Sequence, residues 1–233
     1  MANFRSLIAF LGAVLTLAPA VAAQSGQVRI MPLGDSITGS PGCWRALLWR
    51  KLQETGVTNT KFVGSLPGQG CGFDYDGANE GHGGILATGI VARRELLGWL
   101  ASASPDVVMM HLGTNDVWSN LSPTEILAAY STMVDWMRES KATIKILARK
   151  VAQIIPMRPS NCAQCYDRVV ALNQAIPDWA ASKSTAESPI VVVDCWTGFD
   201  PSSDTGDGVH PNNSGNEKLA NAWFEPLVQA IQG

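Results

Sequence analysis

The chain has 233 residues, of which 46% are apolar and only 16% charged, with a formal net charge of −3. That balance offers no basic surface for nucleic acid or an anionic membrane, and the length suits one well-buried domain. Eight tryptophans are many for this length; most belong in a core, but an exposed indole can stack on a sugar.

The first 23 residues carry one charge, Arg5, then an apolar run over 7–17 and a small-residue stretch over 18–23. This is the pattern of a secretory signal peptide. The run is too short to span a bilayer, and no later stretch reaches the roughly 18 apolar residues a spanning helix needs. Cleavage after Ala22 or Ala23 leaves a single domain over 24–233 with a charge of 16 − 20 = −4. An exported protein without a membrane anchor is expected, and a monomer.

Along that domain, strand-length apolar runs at 28–33, 61–65, 106–112, 143–155 and 190–193 alternate with helical segments at 44–54, 87–101, 123–139, 166–181 and 215–231. The strand runs lack polar alternation, as strands covered on both faces do. Ser122-Pro123-Thr124-Glu125 combines a capping box with proline at the first helical position. Ser214 and Glu217 repeat the box spacing. Such alternation implies an α/β fold of three layers, α/β/α, with right-handed crossovers. Five strands suit a flavodoxin-like parallel sheet of order 2-1-3-4-5, whose site forms beyond the carboxyl ends of the strands. The glycine-rich segment 67–84 is long for a loop, which in a compact domain favours a functional role.

Five cysteines in an exported chain imply disulfides and one thiol left over. Cys162 and Cys165 open a helix after the irregular Arg158-Pro159-Ser160-Asn161. A thioredoxin-like redox pair has the same spacing, but an oxidising compartment favours a static staple. Cys43 and Cys71 fall in loops around Ser36 and form the second expected pair, leaving Cys195 free. Asn120 and Asn212 begin Asn-x-Ser sequons. Pro123 disfavours the first, and the second lies beside a candidate catalytic histidine.

Ser36 follows the first strand in Gly34-Asp35-Ser36, where a turn can present its hydroxyl, although an isolated serine there is by default a helix cap. A serine hydroxyl needs a base to take its proton and a carboxylate to orient that base. His210 is the candidate base, since imidazole titrates near neutrality. Asp207, three residues earlier, is the candidate orienter, with Asp194 and Asp204 as rivals. Ester cleavage also needs oxyanion donors: the Asn115 side chain and the backbone N–H groups of Ser36 and Gly84, with Gly83 as the alternative glycine. Asp35 and Asp116 flank these positions and are expected to hold loops through backbone N–H groups. His82 is a candidate for the pocket beside Gly84 or a solvated loop histidine, and His111 is expected to complete the third strand. Trp118, three residues past Asn115, is the candidate aromatic wall, with core packing as the default. Three histidines without His-x-His or His-Glu-x-x-His spacing give no zinc signature.

Taken in order, these blocks resemble the SGNH (GDSL-like) hydrolase superfamily, whose four blocks supply Ser, Gly, Asn and His. The first matches Gly34-Asp35-Ser36, with Ile37 where leucine is common. The second is similar to Glu80-Gly81-His82-Gly83-Gly84, the third matches Gly113-Thr114-Asn115-Asp116, and the fourth Asp207-Gly208-Val209-His210-Pro211. Within the superfamily the chain resembles carbohydrate esterase family three, on Met31 to Thr38, Glu80 to Gly84 and Ala152-Gln153-Ile154-Ile155-Pro156. The resemblance implies an SGNH hydrolase fold, no metal or other cofactor, and removal of acetyl groups from xylan through an acyl-enzyme. The expected substrate partner is an acetylated polysaccharide or oligosaccharide. Rival readings are another SGNH esterase (a short-chain lipase, a pectin-type deacetylase or a thioesterase), a glycan-binding protein without catalysis, and a redox protein built on Cys162 and Cys165.

Overall fold

The computed structural model describes residues 26–149 and 162–233. The expected signal peptide, the far end of the predicted fourth strand, the Ala152 to Pro156 motif and the loop before Cys162 lie outside the described residues. Within them, strand β1 (Val28–Gly34) leads into the short helix α1 (Ser36–Gly39) and then α2 (Trp44–Glu54). Strands β2 (Thr60–Phe62) and β3 (Glu80–Gly81) are followed by α3 (Ala87–Arg93) and α4 (Glu95–Ala103). Next come β4 (Val107–His111), α5 (Thr114–Trp118), α6 (Pro123–Ser140) and β5 (Lys145–Arg149). The chain ends with α7 (Cys165–Lys183), β6 (Ile190–Val193), α8 (Pro201–Asp204) and α9 (Asn213–Gln232).

All strand pairs are parallel, in the order β2-β1-β4-β5-β6. This is the flavodoxin-like 2-1-3-4-5 order expected from the sequence. The sheet has a sixth member that the five-strand expectation lacked: β3 pairs with the end of β1, Leu33 with Glu80 and Gly34 with Gly81. Two residues carry no periodicity, so no pattern announced it.

Successive side chains of a strand face opposite layers. Met31, Leu33, Val108, Met110, Ile146 and Ala148 pack against α3, α4, α6 and α7, while Ile30, Phe62, Val107, Met109, Leu147 and Val193 pack against α2 and α9. On the second face the Trp44 and Trp223 rings stack with centroids 5.7 Å apart, so two of the tryptophans are core.

The expected helix over 87–101 is two helices. Arg94 adopts a left-handed conformation (φ 55°) that ends α3 and begins α4, and its guanidinium lies 5.4 Å from the centre of the Trp136 ring. No glycine or proline marks this break, because a tertiary contact rather than a local preference holds it. The capping box at Ser122 and Glu125 is formed in full. The second box is not: Asn212 caps α9 by accepting from Gly215 N, and the Ser214 hydroxyl instead donates to Asp204 at 2.8 Å.

Candidate active site

β1 ends in Gly34, and Asp35 caps α1 by accepting from Ile37 N at 3.0 Å. Ser36 is therefore the first residue of that helix rather than its cap. The turn has a tight fit underneath: a Cβ on Gly39 would stand 2.0 Å from the Gly81 carbonyl oxygen. Glycine at both places lets α1 rest on β3 backbone to backbone, which fixes Ser36 beside the Gly81–Gly84 segment.

The Ser36 hydroxyl lies 2.9 Å from His210 Nε2, and His210 Nδ1 lies 2.6 Å from Asp207 Oδ2. The other Asp207 oxygen accepts from Val209 N at 2.9 Å and His210 N at 2.7 Å, so the Asp-x-x-His segment folds back on itself. Burial pushes the Asp207 carboxyl up, but the hydrogen bonds from the His210 ring, His210 N and Val209 N outweigh it and hold the carboxyl below its ordinary value. An anion there can keep a proton on His210 Nδ1 and leave Nε2 as the acceptor facing Ser36.

The rivals for that place are engaged elsewhere. Asp204 accepts from Asp200 N and Ser214 and pairs with Lys218 at 2.7 Å. Asp194 accepts from Trp196 N, Thr197 N and the Thr197 hydroxyl. The Asn212 amide, beside His210, donates to Ser203 O at 2.8 Å and to Thr205 O at 3.3 Å. A glycan on that nitrogen would break the turn that carries the histidine.

Asn115 lies in the first turn of α5 at the carboxyl end of β4, and its amide donates to Ile85 O at 3.1 Å. The Tyr130 hydroxyl supports the turn before it by donating to Leu112 O at 2.9 Å. Next to Asn115, the buried Asp116 accepts from Ala87 N at 2.8 Å, Thr88 N at 3.0 Å and Thr88 Oγ1 at 2.9 Å. Gly84 has φ +74°, whereas Gly83 does not lie in the left-handed region. A residue with a Cβ would be strained at 84, so the backbone itself distinguishes the two glycines.

The long glycine-rich segment is anchored at several points. Cys43 and Cys71 are disulfide-bonded with a Cα separation of 5.6 Å, and Arg45 donates to Thr38 O at 2.7 Å and to Gly77 O at 2.6 Å. Cys162 and Cys165 form the second disulfide, and Cys195 is free and buried.

Two features lay beyond the sequence reading, and Trp118 departs from its default placement. His82 is not a solvated loop residue: it stacks on Trp99 with centroids 4.5 Å apart and lies 2.9 Å from the buried Glu80, which also accepts from Ser65. Arg149 is fully buried at the end of β5, and its Nη1 lies 3.0 Å from His111 Nδ1. Burial and then Arg149 hold His111 well below its ordinary range, so it is neutral and accepts from the guanidinium. The one charged residue in the buried half of an otherwise apolar strand was the available signal. Trp118, finally, stands 37% exposed rather than in the core. Among the described residues no three His, Cys, Asp or Glu side chains gather into a metal centre, and no helix is long and apolar enough to cross a membrane.

The family model described as the GDSL-like Lipase/Acylhydrolase family matches residues 33–218. The chain belongs to that family. Its fold is similar to that of an acetyl esterase mutant solved with an acetate ion, at 34% identity and a TM-score of 0.78, covering 88% of this chain and 99% of that one. It is similar to the same degree (35% identity, TM-score 0.78, 88% and 99% coverage) to a carbohydrate esterase family 3 protein from Talaromyces cellulolyticus. A Clostridium thermocellum family 3 carbohydrate esterase is 25% identical with a TM-score of 0.74, covering 88% and 98%. Among curated sequences, a multidomain esterase of Ruminococcus flavefaciens is 27% identical over 92% of this chain, which spans only 30% of that longer protein. Esterase TesA of Pseudomonas aeruginosa is 25% identical, over 88% of this chain and 92% of its own length. The protein is an esterase of the SGNH type.

Proposed function

We propose that this esterase is exported and removes acetyl groups from acetylated xylan or a related plant polysaccharide through an acyl-enzyme. The observation that carries the reading is the row of Ser36 Oγ, His210 Nε2 and Asp207, linked at 2.9 and 2.6 Å at the rim where Asn115 also stands. As Ser36 Oγ attacks the acetyl carbonyl carbon, His210 Nε2 takes the hydroxyl proton and then gives it to the departing sugar oxygen. The developing oxyanion is received by the N–H groups of Ser36 and Gly84 and by the Asn115 amide. Water, deprotonated by His210, then releases acetate and restores Ser36.

The preference for acetyl is supported by the likeness to an acetyl esterase and to family 3 carbohydrate esterases over nearly their whole length. Export is supported by the signal-peptide pattern over residues 1–23, ahead of one catalytic domain over 24–233, and by two disulfides, which persist in oxidising compartments.

The test is Ser36→Ala, which should abolish hydrolysis of an aryl acetate while leaving the thermal midpoint unchanged; undiminished turnover would eliminate the mechanism. Acetate release from acetylated xylan, beside acetylated pectin and a long-chain triglyceride, then fixes the substrate class. Faster release from pectin or triglyceride would replace xylan in this reading.

A further inference from the structure

Among the described residues, the large apolar side chains that stand exposed are Trp118 at 37%, Tyr166 at 44% and Val191 at 39%. Both aromatic ones lie on the rim that carries the site. Trp118 follows Asn115 by three residues in α5, a spacing that places the two side chains on one helix face. Tyr166 is in the first turn of α7. Two residues on, Arg168 Nη1 donates to the Val117 carbonyl at 3.3 Å, tying the start of α7 to the end of α5.

Behind Tyr166 stands Trp196, with ring centroids 5.7 Å apart and planes inclined at 44°. Trp196 is itself packed against the core, so the tyrosine ring has a fixed backing. Trp196 follows β6, two positions from β4 and three from β1 in the sheet. At about 4.8 Å per strand, that puts the carboxyl end of β6 roughly 10 Å from that of β4 and 14 Å from that of β1. Such a span is comparable with a short run of linked pyranose rings leading away from Ser36.

An exposed aromatic ring offers an apolar face with a polar edge, which suits the C–H face of a sugar and its flanking hydroxyls. We infer that Tyr166, held by Trp196, forms with Trp118 an aromatic strip that binds the neutral pyranose chain beyond the acetylated residue. This rests on the polysaccharide reading above and extends it with residues outside the catalytic row. The strip acts on affinity for the chain, so it lowers KM for polymer and has nothing to grip on an aryl acetate.

The experiment compares wild type, Tyr166→Ala and Tyr166→Phe on acetylated xylan and on an aryl acetate. It also measures calorimetric binding of xylohexaose to the same three side chains in the Ser36→Ala background. Losing one stacked ring is expected to reduce the ratio of kcat/KM for xylan to kcat/KM for the aryl ester about tenfold in Tyr166→Ala, through KM, and to weaken xylohexaose binding similarly. Tyr166→Phe, which keeps the ring, should retain most of both. Equal ratios and equal binding in wild type and Tyr166→Ala, with wild type active on xylan, would overturn the strip alone. A Tyr166→Phe variant as impaired as Tyr166→Ala would overturn stacking as its basis. Hydrolysis of the aryl ester by a wild-type protein that neither binds xylohexaose nor deacetylates xylan would overturn the strip and the polysaccharide reading together.

Discussion

The Asn115 amide donates to the Ile85 carbonyl at 3.1 Å, bridging the first turn of α5, just past β4, to the loop after β3. A side-chain amide carries two N–H donors. One is spent on Ile85, the residue after Gly84, and the proposed mechanism uses the other for the oxyanion. The same bond therefore sets the distance between the two segments proposed to hold the oxyanion.

Asn115→Ala removes one donor and that bridge. The kcat for an aryl acetate should fall about 100- to 1000-fold. A loss below roughly threefold in steady-state kinetics would take Asn115 out of the site.

Asp116→Ala tests the support behind it. The carboxylate is buried and receives three hydrogen bonds from the first turn of α3. Its removal strips the cap and leaves the buried Ala87 N–H unpaired, at a cost of about 2 to 3 kcal/mol. Urea unfolding should show the loss as a lower midpoint with an unchanged slope. A change under about 0.5 kcal/mol would mean that the cap is replaced by other partners.

Asp35 gives a pH dependence. Burial raises its carboxyl from 3.8 to about 6 against the opposing pull of Arg149 and of the hydrogen bond from Ile37 N. The folded state thus holds this proton more tightly than the unfolded chain. Its contribution is fully present below about pH 3.8 and is lost as pH rises through 6, a difference of about 3 kcal/mol. Asp35→Asn cannot titrate. Between about pH 4 and pH 8, the stability of wild type should therefore fall by about that amount relative to Asp35→Asn in urea titrations. Parallel pH profiles for the two proteins would show that Asp35 does not titrate in this range.

The cysteines are open to direct counting. Cys195 is buried, and burial pushes its thiol up to about 11. Ellman's reagent should find no reactive thiol in the native protein and about one per chain after unfolding without reductant. Three would show that one disulfide is missing, and five that both are. Paired Cys43→Ser and Cys71→Ser substitutions, which open a loop of 28 residues, should cost about 3.5 kcal/mol in the chain-entropy account. Retention of full stability would mean that the segment is held without the bond by Arg45 and by Asn79, whose amide donates to Pro67 O and Gly77 O at 3.1 Å.

Much of this architecture was legible because the strands are apolar on both faces. The runs at 28–33 and 190–193 read as parallel strands, and their alternation with helices suited the order found, although Val191 stands 39% exposed on the edge strand. Elements held by a single tertiary contact were not legible. Arg94 breaks a continuous helical pattern while lying over Trp136, and β3 is too short to have a period. At the site, Ser36, Asn115 and His210 sit in recognisable blocks. Arg149 beside His111 is a charge whose partner lies 38 residues away, and the buried Glu80 under His82 also holds Ser65, 15 residues before it.

Amino-acid order by itself determined the α/β class and the identity of the blocks, because periodicity and turn chemistry are local properties that a chain carries before it folds. Only the tertiary structure decided that Asp207 rather than Asp194 or Asp204 reaches His210, that Gly84 rather than Gly83 takes the left-handed backbone, and that Trp118 and Tyr166 stay exposed on one rim. The row that Asp207 completes reaches across 174 residues of sequence, from Ser36 to His210, and hydrogen-bond geometry and solvent exposure are properties of the packed molecule.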